Sequence, residues 1–109
     1  MNVKDSVREM APMSRPTLAS RVTLNSDVAF RELDGELVIL NLETGIYFGL
    51  DPVGARTWKL IEHHGSLGAV LEVLCSEYDA PPAVLERDLL ELVDQLCGKG
   101  LTRVAASSA

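Results

Sequence analysis

Apolar and polar positions change their rhythm near residue 51. From Val28 onward, short runs rich in Val, Ile, Leu and Phe are broken by Asp34-Gly35 and by Glu43-Thr44-Gly45, a strand-and-turn pattern. After Asp51, apolar residues recur three and four positions apart, the spacing of one helical face. The pattern predicts three strands, Val28 to Leu33, Glu36 to Leu42 and Ile46 to Leu50, followed by three helices. Asp34-Gly35 supplies the two positive-φ positions of a type I′ turn, so the first two strands read as a hairpin.

Asp51 and Pro52 are the residues expected at an N-cap and a first helical position. The first helix runs from Pro52 to about His64, with Val53, Arg56/Thr57, Leu60 and Ile61 at helical spacing and Trp58 as a large anchor, and ends at Gly65. Ser66 caps the second, whose stripe is Leu67, Val70, Leu71, Leu74 and Cys75; Tyr78 closes it before Asp79-Ala80-Pro81-Pro82. The third spans about Pro82 to Gly98, with Leu85, Leu89, Leu92, Val93 and Leu96 on one side and mostly polar residues on the other. Gly98-Lys99-Gly100 stops it, and Leu101 to Val104 form a short terminal strand. Strands segregated from helices predict an α+β domain with a winged helix-turn-helix-like trio behind a three-stranded antiparallel sheet.

A three-residue loop at Glu43-Thr44-Gly45 puts Val38, Leu40, Leu42, Ile46, Phe48 and Leu50 on the core face. Phe30, Leu37, Ile39 and Tyr47 then lie on the other face, which is too apolar to stand bare in water. The N-terminal arm or a second copy of the chain is the expected cover, making a homodimer a candidate assembly. With 109 residues there is room for one domain. Residues 27–104 form it, between an arm at 1–26 that docks near Val22 and Leu24 and a fraying tail at 105–109.

Charge narrows the functions. A net charge of −6 counts against nucleic acid and anionic membranes as partners. On the third helix, Glu86, Asp88, Glu91 and Asp94 outnumber Arg87 and Lys99, the wrong balance for a DNA-reading helix. A winged-helix DNA-binding regulator is therefore the alternative that shape favours and charge opposes. The chain has no apolar run of signal-peptide or membrane-spanning length, so a cytoplasmic location is expected. Cys75 and Cys97 sit in apolar helical patterns as small hydrophobes, and His63 and His64 point about 100° apart at a helix end, unsuited to one metal. With no Gly-rich phosphate loop and no nucleophile beside a base, the expectation is a non-enzyme without cofactor or metal. A binding module and a structural subunit of a biosynthetic complex both fit.

The stretch Asp27-Val-Ala-Phe-Arg-Glu-Leu-Asp-Gly-Glu-Leu-Val-Ile-Leu-Asn-Leu-Glu-Thr-Gly-Ile-Tyr-Phe-Gly-Leu-Asp-Pro-Val-Gly-Ala-Arg-Thr-Trp58, then Glu77-Tyr78, Asp88 and Leu96-Cys-Gly-Lys-Gly-Leu101, resembles the PqqD family. The resemblance covers about residues 22–104. It implies a RiPP recognition element, a peptide-modification chaperone that binds the leader segment of a ribosomally made precursor. Such a protein presents the leader to a modifying enzyme, often a radical SAM enzyme or a leader peptidase. The pyrroloquinoline quinone proteins usually have a Pro-Glu-Gly type turn where this chain has Glu43-Thr44-Gly45. In that respect it looks more like stand-alone members associated with other peptide products, including lasso peptides.

The third predicted strand is a sheet edge, where an extended peptide can add as a further strand. The family implies the third helix as the opposing wall. Carried onto matching positions, the strand wall is Ile46, Tyr47, Phe48, Gly49 and Leu50, and the helix wall is Leu85, Asp88, Leu89 and Leu92, with Arg87 and Glu91 as rim charges. Phe48, Leu50, Leu89 and Leu92 are also needed by the core, whereas Tyr47, Asp88, Arg87 and Glu91 are harder to explain by packing.

Overall fold

The computed structural model describes residues 16–105; what was expected of residues 1–15 and 106–109 lies outside the described residues. Strands β1 (Val22–Leu24), β2 (Val28–Leu33), β3 (Glu36–Asn41) and β4 (Tyr47–Leu50) precede helices α1 (Pro52–His64), α2 (Leu67–Glu77) and α3 (Pro82–Gly98), and β5 (Thr102–Val104) ends the order. β2, β3 and β4 form an antiparallel sheet in chain order. The fold class is the predicted α+β arrangement.

The local signals act as their chemistry requires. Asp34 and Gly35 take φ of 55° and 83°, and Leu33 faces Glu36 across the turn. Asp51 Oδ1 accepts from the Gly54 N–H at 2.8 Å, satisfying one of the unpaired donors at the start of α1. Replacing Asp51 with alanine is expected to cost about 1 kcal/mol, read as a lower denaturant midpoint with an unchanged slope. At the end of α3, Gly100 (φ 75°) donates to Cys97 O at 3.0 Å and Leu101 N–H to Leu96 O at 2.9 Å, a Schellman motif. That turn brings Leu101 back beside Leu96, and both are buried in one cluster.

The interior has two parts. Leu60, Ile61, Leu67, Val70, Leu74, Leu89 and Val93 hold the three helices together, joined by Val22 of β1. Leu37, Ile39, Leu50, Ala55, Trp58, Leu96 and Leu101 join the sheet to α1 and the end of α3. Trp58 is fully buried, with the Phe30 ring edge-on at 5.5 Å. β1, which the sequence places in the arm, pairs antiparallel with β5, Val22 opposite Val104. Val22 N–H also donates to Gly65 O at 2.7 Å, so this segment closes the helical layer. Arg56 grips Glu77 through two bonds, of 2.9 and 2.6 Å, tying α1 to α2. The pair holds the Glu77 carboxyl below its ordinary value. Its contribution is therefore present at neutral pH and is lost as pH falls through the folded Glu77 pKa.

The predicted faces of β3 are exchanged, while those of β4 are kept. β3 turns Leu37 (1% exposed) and Ile39 (0%) inward, leaving Val38 and Leu40 half-buried on the outer face. Leu50 lies opposite Leu37 and Phe48 opposite Ile39, so β4 keeps Phe48 and Leu50 inside and turns Tyr47 out. The cause is the loop. It has four residues, Leu42 to Gly45, because buried Asn41 ends β3: its Oδ1 accepts from Glu43 N–H at 2.9 Å and Thr44 N–H at 3.3 Å, and its carbonyl from Gly45 N–H at 2.7 Å. One extra loop residue moves every β3 partner by one and swaps the face. Leu42 consequently leaves the core and stands exposed, as does Ile46. Of the apolar face from which a dimer was inferred, Leu37 and Ile39 are buried, Phe30 rests edge-on against Trp58 but stays 39% exposed, and Tyr47 stands on the outer face.

Candidate functional site

Among the described residues the sheet has two edge strands, β2 and β4, and β4 is the one that runs directly into α1. Asn41 N–H donates to Ile46 O at 3.0 Å, which makes Asn41 and Ile46 a hydrogen-bonded pair. Antiparallel alternation then directs the backbone groups of Phe48 and Leu50 toward β3, and those of Tyr47 and Gly49 outward. Two N–H and two C=O groups are thus left to bond something else.

Beside this edge lies a groove of about 470 Å³, with Phe48, Gly49 and Leu50 on the strand side and Leu85, Asp88, Leu89 and Leu92 on the α3 side. Asp51, Val53, Gly54 and Thr57 from the start of α1, Leu74 of α2 and Gln95 of α3 complete its lining. Seven of the eleven residues that the sequence assigns to the site therefore meet in one groove. A second depression of about 280 Å³ continues past Phe48 and includes Ile46, Lys99 and Leu101. α3 thus runs opposite to β4, its end beside the start of the strand. Tyr47 brings only its backbone to the edge; its side chain is 67% exposed on the outer face. Arg87 and Glu91 lie elsewhere, around a depression with Pro16, Leu90 and Asp94. Arg87 Nε stands 3.5 Å from Asp88 Oδ1.

Sequence reasoning missed the contribution of α1 and the position of Lys99 beside Phe48. Asp51, Val53, Gly54 and Thr57 reach the groove because α1 starts directly where β4 ends, a juxtaposition visible in Leu50-Asp51-Pro52. Thr57 is buried with its hydroxyl donating to Val53 O at 2.9 Å, so it adds a methyl rather than a polar group. Val53 is 46% exposed, an apolar residue at the first turn that the helix core does not use. The site is thus an apolar trough, with acid at one end and Lys99 at the other. Burial pushes the Cys97 thiol up, as befits a packed sulfur. Among the described residues, no group of three or more His, Cys, Asp or Glu is placed to hold a metal ion. None of the described helices is long and apolar enough to cross a membrane.

The PqqD family, described as coenzyme PQQ synthesis protein D, matches residues 36–101, which take in β3, β4 and the three helices. No curated protein matches the chain. Among solved structures it is similar to TbiB1 in complex with the TbiA(beta) leader peptide, at 33% identity over 80% of this chain and 99% of that one, with a TM-score of 0.71. It is also similar to a lasso peptide synthetase B1 complexed with the leader peptide, at 26% identity, 75% and 96% coverage and a TM-score of 0.69. With more than half its length matched by the family model and its fold shared over 80% and 75% of the chain by these structures, this chain belongs to the PqqD family.

Proposed function

We propose that this chain binds the leader segment of a ribosomally synthesised precursor peptide as an added strand on β4 and presents it, without catalysis, to a modifying enzyme. One observation carries the reading: an unpaired strand edge opens onto an apolar groove in a chain 33% identical to a protein solved with a leader peptide. The likeness to a lasso peptide synthetase B1 favours a lasso-type product, with a leader peptidase ahead of a radical SAM enzyme as the partner.

Magnitudes assign the work between backbone and side chains. Four edge hydrogen bonds contribute roughly 0.5–1.5 kcal/mol each, while ordering a free peptide costs about 2–5 kcal/mol or more. The backbone alone barely breaks even. Each apolar side chain seated between Phe48, Leu50, Leu89 and Leu92 adds about 1.5–3 kcal/mol, so the groove supplies both net affinity and selectivity. Gly49 helps because it has no side chain, and the space around its Cα is open. An incoming backbone meets no obstacle there.

Titrating the ¹⁵N-labelled chain with the leader of the precursor encoded beside it is expected to shift the Tyr47 and Gly49 amides first. Methyl signals of Leu85, Leu89 and Leu92 should move with them. Unmoved β4 amides at tens of micromolar peptide would sink the proposal.

A further inference from the structure

We propose that Lys99 selects an acidic residue in the leader, two positions from the apolar residue that packs beside Phe48; this deepens the leader-binding reading and rests on it. The second depression shares Phe48 with the main groove, so the two form one path along β4. Lys99 stands at its far end with Nζ 5.6 Å from the centre of the Phe48 ring, within cation–π range. No other base lines either depression among the described residues.

The backbone of Lys99 is fixed while its charge is uncommitted. Its carbonyl accepts from Asn41 Nδ2 at 3.3 Å, and its N–H lies 3.1 Å from Gln95 O and 3.3 Å from Leu96 O. Yet Lys99 forms no ion pair among the described residues, although acids outnumber bases sixteen to ten along the chain. A cation held over an aromatic ring at the mouth of an apolar hollow is suited to receive a carboxylate.

The pleat fixes which leader residue that is. On a strand added to β4, residues opposite Leu50, Phe48 and Ile46 share one face, the face that looks toward α3. The first two enter the main groove. The third, two residues or about 6.8 Å further on, enters the depression beside Ile46 and Lys99. The leader therefore reads apolar, any, apolar, any, acidic if it adds antiparallel, and the reverse order if parallel.

Phage-displayed random 12-residue peptides selected against the full chain and against Lys99→Glu test this. Wild type is expected to enrich Asp or Glu two positions from an apolar residue, and Lys99→Glu to enrich Lys or Arg there. A selected acidic peptide, followed by fluorescence anisotropy, should lose about tenfold in affinity on Lys99→Glu and about threefold on Lys99→Met, with both losses shrinking as salt rises. If selected peptides shift the Tyr47 and Gly49 amides but show no acid preference, or the same preference on both proteins, Lys99 is not a selector and leader binding stands. If no selected peptide touches β4, both proposals fall.

Discussion

Gly49→Pro is expected to leave the protein folded and to weaken leader binding by about 30-fold or more. The Gly49 N–H points away from β3, so proline removes no bond of the sheet. Edge strands accept proline where the missing donor faced solvent. An added leader strand, however, loses that donor, and its own carbonyl is left buried against the proline ring. One lost bond of about 1 kcal/mol plus an unpaired carbonyl of about 1–3 kcal/mol gives at least about 2 kcal/mol, which is where the 30-fold figure comes from. Gly49→Ala is the control: its Cβ meets nothing within 4 Å, and it keeps the N–H, so binding should change little. Anisotropy with the labelled leader, alongside circular dichroism of each variant, measures both quantities. If the proline variant is folded and binds like wild type, the leader does not pair with β4.

What the sequence made legible and what it hid divide by range. Asp34-Gly35, Asp51-Pro52, Ser66 and the Gly100 turn act over at most a few residues, and each marks the element boundary its chemistry dictates. The face of β3 was not legible, because both of its sides are apolar: Leu37 and Ile39 on one, Val38 and Leu40 on the other. Only the loop length decides between them, and Asn41 decides the loop. The apolar pattern carries the strand through Asn41 to Leu42, whereas the 3% exposure of Asn41 and its bond to Lys99 O, 58 residues away, are tertiary facts. The β1–β5 pair was hidden for a similar reason, since three-residue strands nearly eighty residues apart carry no local pairing signal.

At the site, Phe48, Gly49 and Leu50 with Leu85, Asp88, Leu89 and Leu92 were within reach because the helical period and the family resemblance agree on them. Arg87 and Glu91 do not line the groove, for a geometric reason. On a helix, residues adjacent to Asp88 or Leu92 are rotated about 100° away, so membership of the same helix does not put them on the same groove. Lys99 escaped notice because a lysine between two glycines reads as a helix stop. Its place over Phe48 depends on the antiparallel course of β4 and α3.

The largest loss of stability from a single polar change is expected at Asn41. Asn41→Ala removes the acceptor for the Glu43 and Thr44 N–H groups and the donor to Lys99 O in one step. Two of the three freed groups can turn to water at the exposed loop, while the Lys99 carbonyl, at the helix end beside Leu101, is harder to resolvate. A cost of about 2–3 kcal/mol follows, or roughly 10–20 °C in Tm for a domain of this size. Asn41→Asp separates the two duties: it keeps the loop acceptor but sets a carboxylate against the Lys99 carbonyl, so it should also destabilise. The functional consequence is distinct from the stability loss. Without the Asn41 turn the loop can shorten by one residue, and that slip would send Phe48 and Leu50 outward and Tyr47 into the core. Cross-strand NOEs between Leu37 and Leu50 report the register directly, and thermal unfolding reports the cost. An alanine variant that melts within about 3 °C of wild type and keeps the Leu37–Leu50 contact would show that the sheet register is held elsewhere.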